Sequence, residues 1–310
     1  MRKKTPDPFS LSIRAVLTVA VLALLASRID LADTAAALRR LDLRFAAVVV
    51  ALVAADRAVM IWRWIILLRA RGIPVSASSA ASIYLVSSFV GGYTAMAGDA
   101  ARAYGLSRRT AQGSEAVASV AVDRLLGLLA ILVIALAGLA LAGAKMSAGS
   151  GAAFAAVTVA LVGGAVGVMY ADRWIRAALP SAWRETRPGA RLLRLADALA
   201  AYRGHRAAIV AVSTLSIGVQ LLRVLQAYLL GVAIGIDVPF SYYLLFMPAG
   251  LIALMMPISL AGFGAPQGLI VWLLQPRGVP EADALALSTL IVLSGIVANL
   301  PGAALCMSAR

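Results

Sequence analysis

Apolar runs near twenty residues recur along this chain, at about Leu11–Ala26, Phe45–Leu68, Ala116–Ala142, Ala152–Tyr170, Ala207–Ile234 and Ala284–Met307. A helix of ~20 apolar residues matches the ~30 Å hydrocarbon core of a bilayer. Such runs restrict the chain to a helical membrane bundle, because lipid leaves no partner for unpaired backbone groups. Composition agrees: 62% of residues are hydrophobic and 14% charged, against roughly 45–50% and about 25% in soluble domains. A soluble globule and a disordered chain are both excluded. The remainder is too short for a separate soluble catalytic domain, so residues 1–310 read as one membrane domain.

Two further apolar stretches are broken. Ala77–Ala97 contains Gly91-Gly92 and is followed by Gly98. Phe240–Gln275 is interrupted by Pro248, Pro257, Gly262, Gly264 and Pro266. The basic residues decide how these stretches lie. If Ala77–Ala97 crossed fully, Arg102, Arg108 and Arg109 would fall outside. So would Arg173, Arg176, Arg184, Arg187, Arg191, Arg194, Arg203 and Arg206 of the Asp172–Arg206 loop. That reverses the positive-inside bias. If the stretch enters from the cytoplasm and returns, all of these lie inside. The second broken stretch, entering and returning outside, places Arg310 inside. The start Arg2-Lys3-Lys4 before an apolar run reads as a first membrane helix with a cytoplasmic N-terminus, not a signal peptide. Ser27–Arg44, with four arginines and three aspartates, is the exception and reads as an interfacial helix. The expected fold is therefore an all-α polytopic membrane protein with about six full spans and two re-entrant hairpins. Non-helical backbone at membrane depth must be buried or line a wet cavity, so a cavity is expected between the hairpins.

The two halves resemble each other weakly. Phe45–Leu68 carries Arg63, then Gly72-Ile73-Pro74-Val75, then Tyr84 and a glycine break. Ala207–Ile234 carries Arg223, then Gly235-Ile236-Asp237-Val238, then Tyr242, Tyr243 and a Pro/Gly break. On this topology the units run in opposite directions, as in many transporters. Repeat one covers about residues 45–142 and repeat two about 207–308, with the arginine-rich loop at about 171–206 between them. Chance similarity in an Ala/Leu/Val background is the competing explanation.

Charges inside spans cost on the order of 2.5–3.5 kcal/mol and mark function. They are Asp56, Arg57, Arg63, Asp99, Arg102, Asp123, Arg124 and Arg223. Arginine suits bidentate contact with phosphate. The competing use is internal pairing, as Asp56–Arg57, Asp99–Arg102 and Asp123–Arg124, although sequence neighbours on a helix face apart. Asp99 fits a helix N-cap as well as a ligand site. Tyr104, closing the same glycine-rich segment, is placed with the substrate path. In the second hairpin, Pro257 removes a backbone donor and Gly262 and Gly264 permit reversal, with Ser259 and Gln267 as the nearest polar groups.

These residues carry a resemblance. Gly98-Asp99-x-x-Arg102, Asp123-Arg124-x-x-Gly127 and Pro257-x-Ser259-x-x-Gly262-x-Gly264, with Arg63-Trp64-x-x-Leu67-Leu68 upstream and Pro301-Gly302 downstream, resemble the lysylphosphatidylglycerol synthase transmembrane domain family. The resemblance implies flippase-like handling of lipids. It assigns Asp99, Arg102, Asp123 and Arg124 to the substrate path, and Ser259, Gly262 and Gly264 to the second hairpin. The family usually has a glutamate three residues after the last hairpin glycine, where this chain has Gln267. Glutamine can hydrogen-bond but cannot carry protons. No aminoacyl-transferase domain accompanies the spans, so lysyl-lipid synthesis is not expected.

The net charge of +14 sits between apolar runs and points to anionic lipid headgroups, not nucleic acid. The single His205 excludes chemistry needing two histidines, and the single Cys306 excludes an internal disulfide and a thiolate metal cluster. Asp99 and Asp123 stand 24 positions apart, each near an arginine, unlike the clustered carboxylates of a metal-dependent phosphotransferase. No enzyme activity, metal or cofactor is expected. The leading expectation is a transporter that moves an anionic or zwitterionic lipid, or a lipid-linked headgroup, between leaflets of a bacterial-type cytoplasmic membrane, with both termini inside. The alternatives are a non-transporting accessory subunit of a lipid-modifying complex and, more remotely, an enzyme acting on lipid phosphates. The partners open to the chain are membrane lipids, a second copy of itself, or a lipid-modifying enzyme.

Overall fold

In the computed structural model, residues 35–36, 38–92, 95–141, 148–255 and 265–308 are described, and the elements among them are all helical. Four of the apolar runs become helices long and apolar enough to cross a membrane: α1 (Leu43–Ala70), α4 (Gly113–Leu141), α9 (Arg206–Ala233) and α12 (Glu281–Ser308). At 1.5 Å per residue, a helix of 28 residues reaches about 42 Å, beyond the ~30 Å hydrocarbon core. The Ala152–Tyr170 run falls almost wholly in α5 (Ala148–Met169). The Leu11–Ala26 run lies outside the described residues.

The broken stretches fold as shorter helices. The first is α2 (Ala77–Gly91) followed by α3 (Ala95–Thr110), and the second is α10 (Phe240–Met255) followed by α11 (Ala265–Leu274). A helix of 15 residues such as α2 spans only about 22 Å, too short to cross upright. Near the reversal α2 and α3 approach closely: a Cβ on Gly98 would lie 2.7 Å from Gly91 Cα and 2.8 Å from the Ser87 carbonyl oxygen. In the second pair the Tyr242 hydroxyl donates to the Leu273 carbonyl at 2.5 Å. The start of α10 therefore lies beside the end of α11.

The two halves use the same local devices. Both α1 and α9 have 28 residues and end on a glycine with positive φ, Gly72 at +61° and Gly235 at +86°. In each the following isoleucine N–H reaches back into the last turn: Ile73 to Leu68 O at 3.0 Å and Ile236 to Gly231 O at 2.9 Å. That is a Schellman-type stop, which favours glycine because a Cβ is strained at positive φ. The short helices α2 and α10 open at the same offset beyond these glycines. Contacts between the halves are reciprocal. Gly138 of α4 lets α10 approach at Leu244, and Gly302 of α12 lets α2 approach at Leu85, the small-residue route to close helix packing in lipid. Meanwhile α1 lies along α9.

Buried side chains form three clusters: Tyr243, Phe246, Leu274 and Leu287 between α10, α11 and α12; Trp64, Leu68, Tyr84 and Leu106 between α1, α2 and α3; and Val122, Leu199, Tyr202 and Val212 at one end of α4. The Asp172–Arg206 segment, read as a loop from sequence, is largely helical. It forms α6 (Ala171–Ala178), α7 (Ser181–Arg184) and α8 (Arg187–Ala201). Its charges had masked a helical period. Thr186 caps α8 by accepting from Gly189 N–H at 3.2 Å. Helix α8 buries Ala196, Ala198 and Leu199 and exposes Arg187, Arg191 and Arg194. Arg203 clamps this layer by a two-pronged contact with Asp172 at 2.7 and 2.8 Å. The hydrogen bond from Arg203 holds the Asp172 carboxyl below the usual carboxylate range.

Candidate functional site

The long helices present matching polar faces. On α1, Asp56, Arg57 and Arg63 recur at helical spacing. On α9, Gln220, Arg223 and Gln226 do the same. Together with Asp123 and Arg124 of α4 and Asp99 and Arg102 of α3, they line a cavity of about 610 Å³, within the size range of small-molecule sites. Its lining contains five arginines (57, 63, 102, 124 and 223) against three aspartates (56, 99 and 123), a net of +2.

The charges divide into two kinds. Asp123, Arg63 and Arg102 are 1%, 2% and 4% exposed. Arg63 donates to Asp123 Oδ1 through Nε at 3.0 Å and Nη2 at 2.6 Å, and to the Asp123 carbonyl at 3.1 Å. Arg102 donates to Asp123 Oδ2 at 2.9 Å. Its guanidinium also lies 5.0 Å from the Tyr84 ring centre and 5.4 Å from that of Trp64. Trp64 is itself held by a 3.3 Å bond from its indole N–H to Ser119 Oγ. This triad ties α1, α3 and α4 together, and both carboxylate oxygens of Asp123 are engaged within it.

Of the other charges, Arg57, Asp99, Arg124 and Arg223 are partly exposed, while Asp56 is only 3% exposed. Arg124 contacts both Asp99 oxygens through Nε at 2.8 and 2.7 Å, with 38% of the Arg124 side chain and 28% of Asp99 exposed. Asp99 also receives Arg102 at 3.3 Å. Across the cavity, Arg223 Nε donates to Asp56 at 3.0 Å, while Arg57 Nε stands 3.8 Å from the same carboxylate, outside hydrogen-bond range. Of the pairings expected from sequence, Asp99–Arg102 forms and Asp56–Arg57 is only loose. Asp123–Arg124 is replaced by contacts across helices, since adjacent residues on a helix point about 100° apart.

The structure thus brings together Arg57, Arg63, Asp99, Arg102, Asp123, Arg124 and Arg223. It does not bring Tyr104 to them. That ring is 66% exposed and absent from the cavity wall, because two residues along a helix from Arg102 is nearly the opposite face. Gln267 is buried, but it lines a separate space of about 20 Å³ with Gly250 and Ser288, behind Met247 and Leu251 of the main wall. Pro257, Ser259, Gly262 and Gly264 lie outside the described residues. Three amide side chains of the cavity wall escaped the sequence reading: Gln220, Gln226 and Asn299. The glutamines flank Arg223 at three-residue spacing, which was the available signal.

A family model described as the lysylphosphatidylglycerol synthase TM region matches residues 11–302. The chain belongs to this family. No curated protein matches the sequence significantly. Membership places the chain among membrane proteins connected with lipid metabolism or transport, in accord with its four span-length helices.

Proposed function

We propose that this protein is a lipid flippase. It moves an anionic or zwitterionic phospholipid, or a lipid-linked headgroup, between leaflets, with the headgroup in the arginine-lined cavity and the tails in the bilayer. The observation that carries the reading is the cavity itself. It has a net charge of +2, it stands among helices of membrane-spanning length, and half-exposed Arg124 and Asp99 meet at its wall. A site of that charge in a low-dielectric surround favours phosphate oxygens over water.

The proposed topology has six full spans, with α2–α3 and α10–α11 as re-entrant hairpins and both termini in the cytoplasm of a bacterial-type inner membrane. Short α2, the matching stops after α1 and α9, and the reciprocal α4–α10 and α12–α2 contacts support an inverted repeat. Exposed Arg187, Arg191 and Arg194 on α8 would gather anionic lipid at the inner face, at roughly 1 kcal/mol per basic residue near the surface.

The test is headgroup movement in proteoliposomes containing this chain alone. Wild type should move lipid, and Arg124→Ala should cut that movement while leaving folding intact. Absence of movement without a partner would favour an accessory subunit. Chemical conversion of the lipid would favour an enzyme.

A further inference from the structure

The α6–α8 layer presents a surface that the cavity does not use. Between residues 171 and 206 the chain carries eight arginines against Asp172, Glu185 and Asp197, a net of +5. Some of these arginines are committed within the layer. Arg203 pairs with Asp172, Arg176 with Asp197 at 2.7 Å, and Arg184 donates to the Leu179 and Arg176 carbonyls. Arg187, Arg191 and Arg194 are exposed and have no hydrogen-bond or ion-pair partner among the described residues. Their spacing of four and three residues sets them in one stripe along α8.

Two large aromatic side chains accompany the charge. Trp174 is 69% and Trp183 56% exposed. The backbone beneath Trp183 is fixed, since the Thr186 hydroxyl donates to its carbonyl at 2.7 Å and a Cβ on Gly189 would strike the same carbonyl. Helix α6, which carries Trp174, has eight residues and buries none of them. A helix that short is marginal in water by itself, so its apolar face calls for a surface outside the protein.

The level of the layer points to that surface. Only Tyr170 separates α5 from α6, and Arg203 donates to the Met169 carbonyl at 2.7 Å, which pins the start of span-length α9 to the end of α5. Indoles favour the headgroup level of a bilayer, and arginine clusters beside a span attract anionic lipid. An acidic protein would match the charge, but a patch beside the end of a span-length helix favours lipid.

We propose that α6–α8 is an interfacial platform for an anionic lipid surface. Trp174 and Trp183 seat among the headgroups, and Arg187, Arg191 and Arg194 bind lipid phosphates by charge, whatever the headgroup. The platform is separate from the cavity. It deepens the lipid-handling reading by adding a second lipid contact, and it does not depend on lipid movement.

Ala178 is exposed one turn beyond Trp174, so a nitroxide on Ala178→Cys, in a Cys306→Ser background, reports the depth of α6. The full chain is placed in nanodiscs of phosphatidylcholine alone, or of phosphatidylcholine with phosphatidylglycerol or with phosphatidylserine. Oxygen, which partitions into lipid, and a nickel chelate, which stays in water, both relax the label. Anionic lipid should favour the seated state about fivefold for each arginine in contact. The oxygen-to-nickel ratio should therefore rise alike in both anionic membranes. It should fall back at about 1 M salt, where the Debye length is about 3 Å. Arg187→Gln/Arg191→Gln/Arg194→Gln should abolish the rise, and Trp174→Ser/Trp183→Ser should lower the ratio in all three membranes. These positions are exposed, so folding should hold; if either variant fails to fold, the lipid and salt comparison on the labelled parent decides. An equal ratio in all three membranes overturns the proposal, and if that ratio is the aqueous one the patch is left to an acidic protein. A rise with phosphatidylglycerol alone also overturns it, because that is headgroup recognition, as does a ratio unmoved by loss of the three arginines or of both tryptophans. Seating without headgroup movement in proteoliposomes would remove the flippase reading and leave the platform standing. Movement by a chain whose label stays in water would do the reverse.

Discussion

Asp123→Asn should destabilise the protein severely, while a change at its neighbour Arg124 should not. Asp123 accepts three side-chain bonds, at 2.6, 2.9 and 3.0 Å, from guanidiniums that are themselves almost fully buried. Asparagine keeps the shape and removes the charge, leaving Arg63 and Arg102 facing each other without their shared counter-ion. Breaking a buried ion pair from one side costs about 3–5 kcal/mol. For a domain of this size that is a fall in apparent Tm of roughly 6–15 °C. The assay is thermal unfolding in detergent, followed by tryptophan fluorescence, since Trp64 stacks on the triad. Arg124 is 38% exposed and pairs with a part-exposed carboxylate, so Arg124→Ala should melt within about 2 °C of wild type, as expected for an exposed pair worth under about 1 kcal/mol. A neutral triad, Arg63→Met with Asp123→Leu and Arg102→Met, should recover much of the loss, because well-packed apolar groups replace buried ions at little cost. If Asp123→Asn melts with wild type, the triad is not the structural lock described here.

Three other outcomes follow from the geometry. Gly98→Ala should cost about 1–3 kcal/mol by overpacking, since its Cβ would press on Gly91 and the Ser87 carbonyl; thermal unfolding in detergent reads this. Asp172 has a lowered pKa when folded, so its contribution is complete above the unfolded value of about 3.9 and is lost as pH falls through the folded value. Hydrogen exchange across α6–α8 should therefore rise below about pH 4 in wild type, and Asp172→Asn should show that raised exchange already at neutral pH. Exposed Tyr104→Cys in a Cys306→Ser background should label with an impermeant thiol reagent only from the cytoplasmic side, and labelling from outside alone would refute the first re-entrant hairpin.

The long helices were legible because apolar runs near twenty residues recur along the chain; the Asp42 cap that opens α1 and the positive-φ glycines that end α1 and α9 were not read as boundaries. The charges Asp99, Arg102, Asp123 and Arg124 were legible because charge in lipid is expensive wherever it points. Which charge meets which was not legible. Asp123 turns to α1 and α3 while Arg124 reaches Asp99, and only the packing of helices remote in sequence sets that. Tyr104 failed for a related reason: closeness in sequence to Arg102 is not a shared helix face. Gln220, Gln226 and Asn299 passed unnoticed because an uncharged amide barely interrupts an apolar run. The arginine-rich segment hid its helices because charge dominated its composition, although small apolar residues kept a buried face on α8.

If the protein moves lipid as proposed, a lipid phosphate occupies the cavity between α1, α4 and α9. An experimental structure in nanodiscs containing phosphatidylglycerol tests it most directly. Headgroup density is expected in that cavity, with phosphate oxygens within hydrogen-bond distance of Arg57, Arg223 or Arg124. Headgroups confined to the outer rim, with acyl chains filling the cavity, would contradict it.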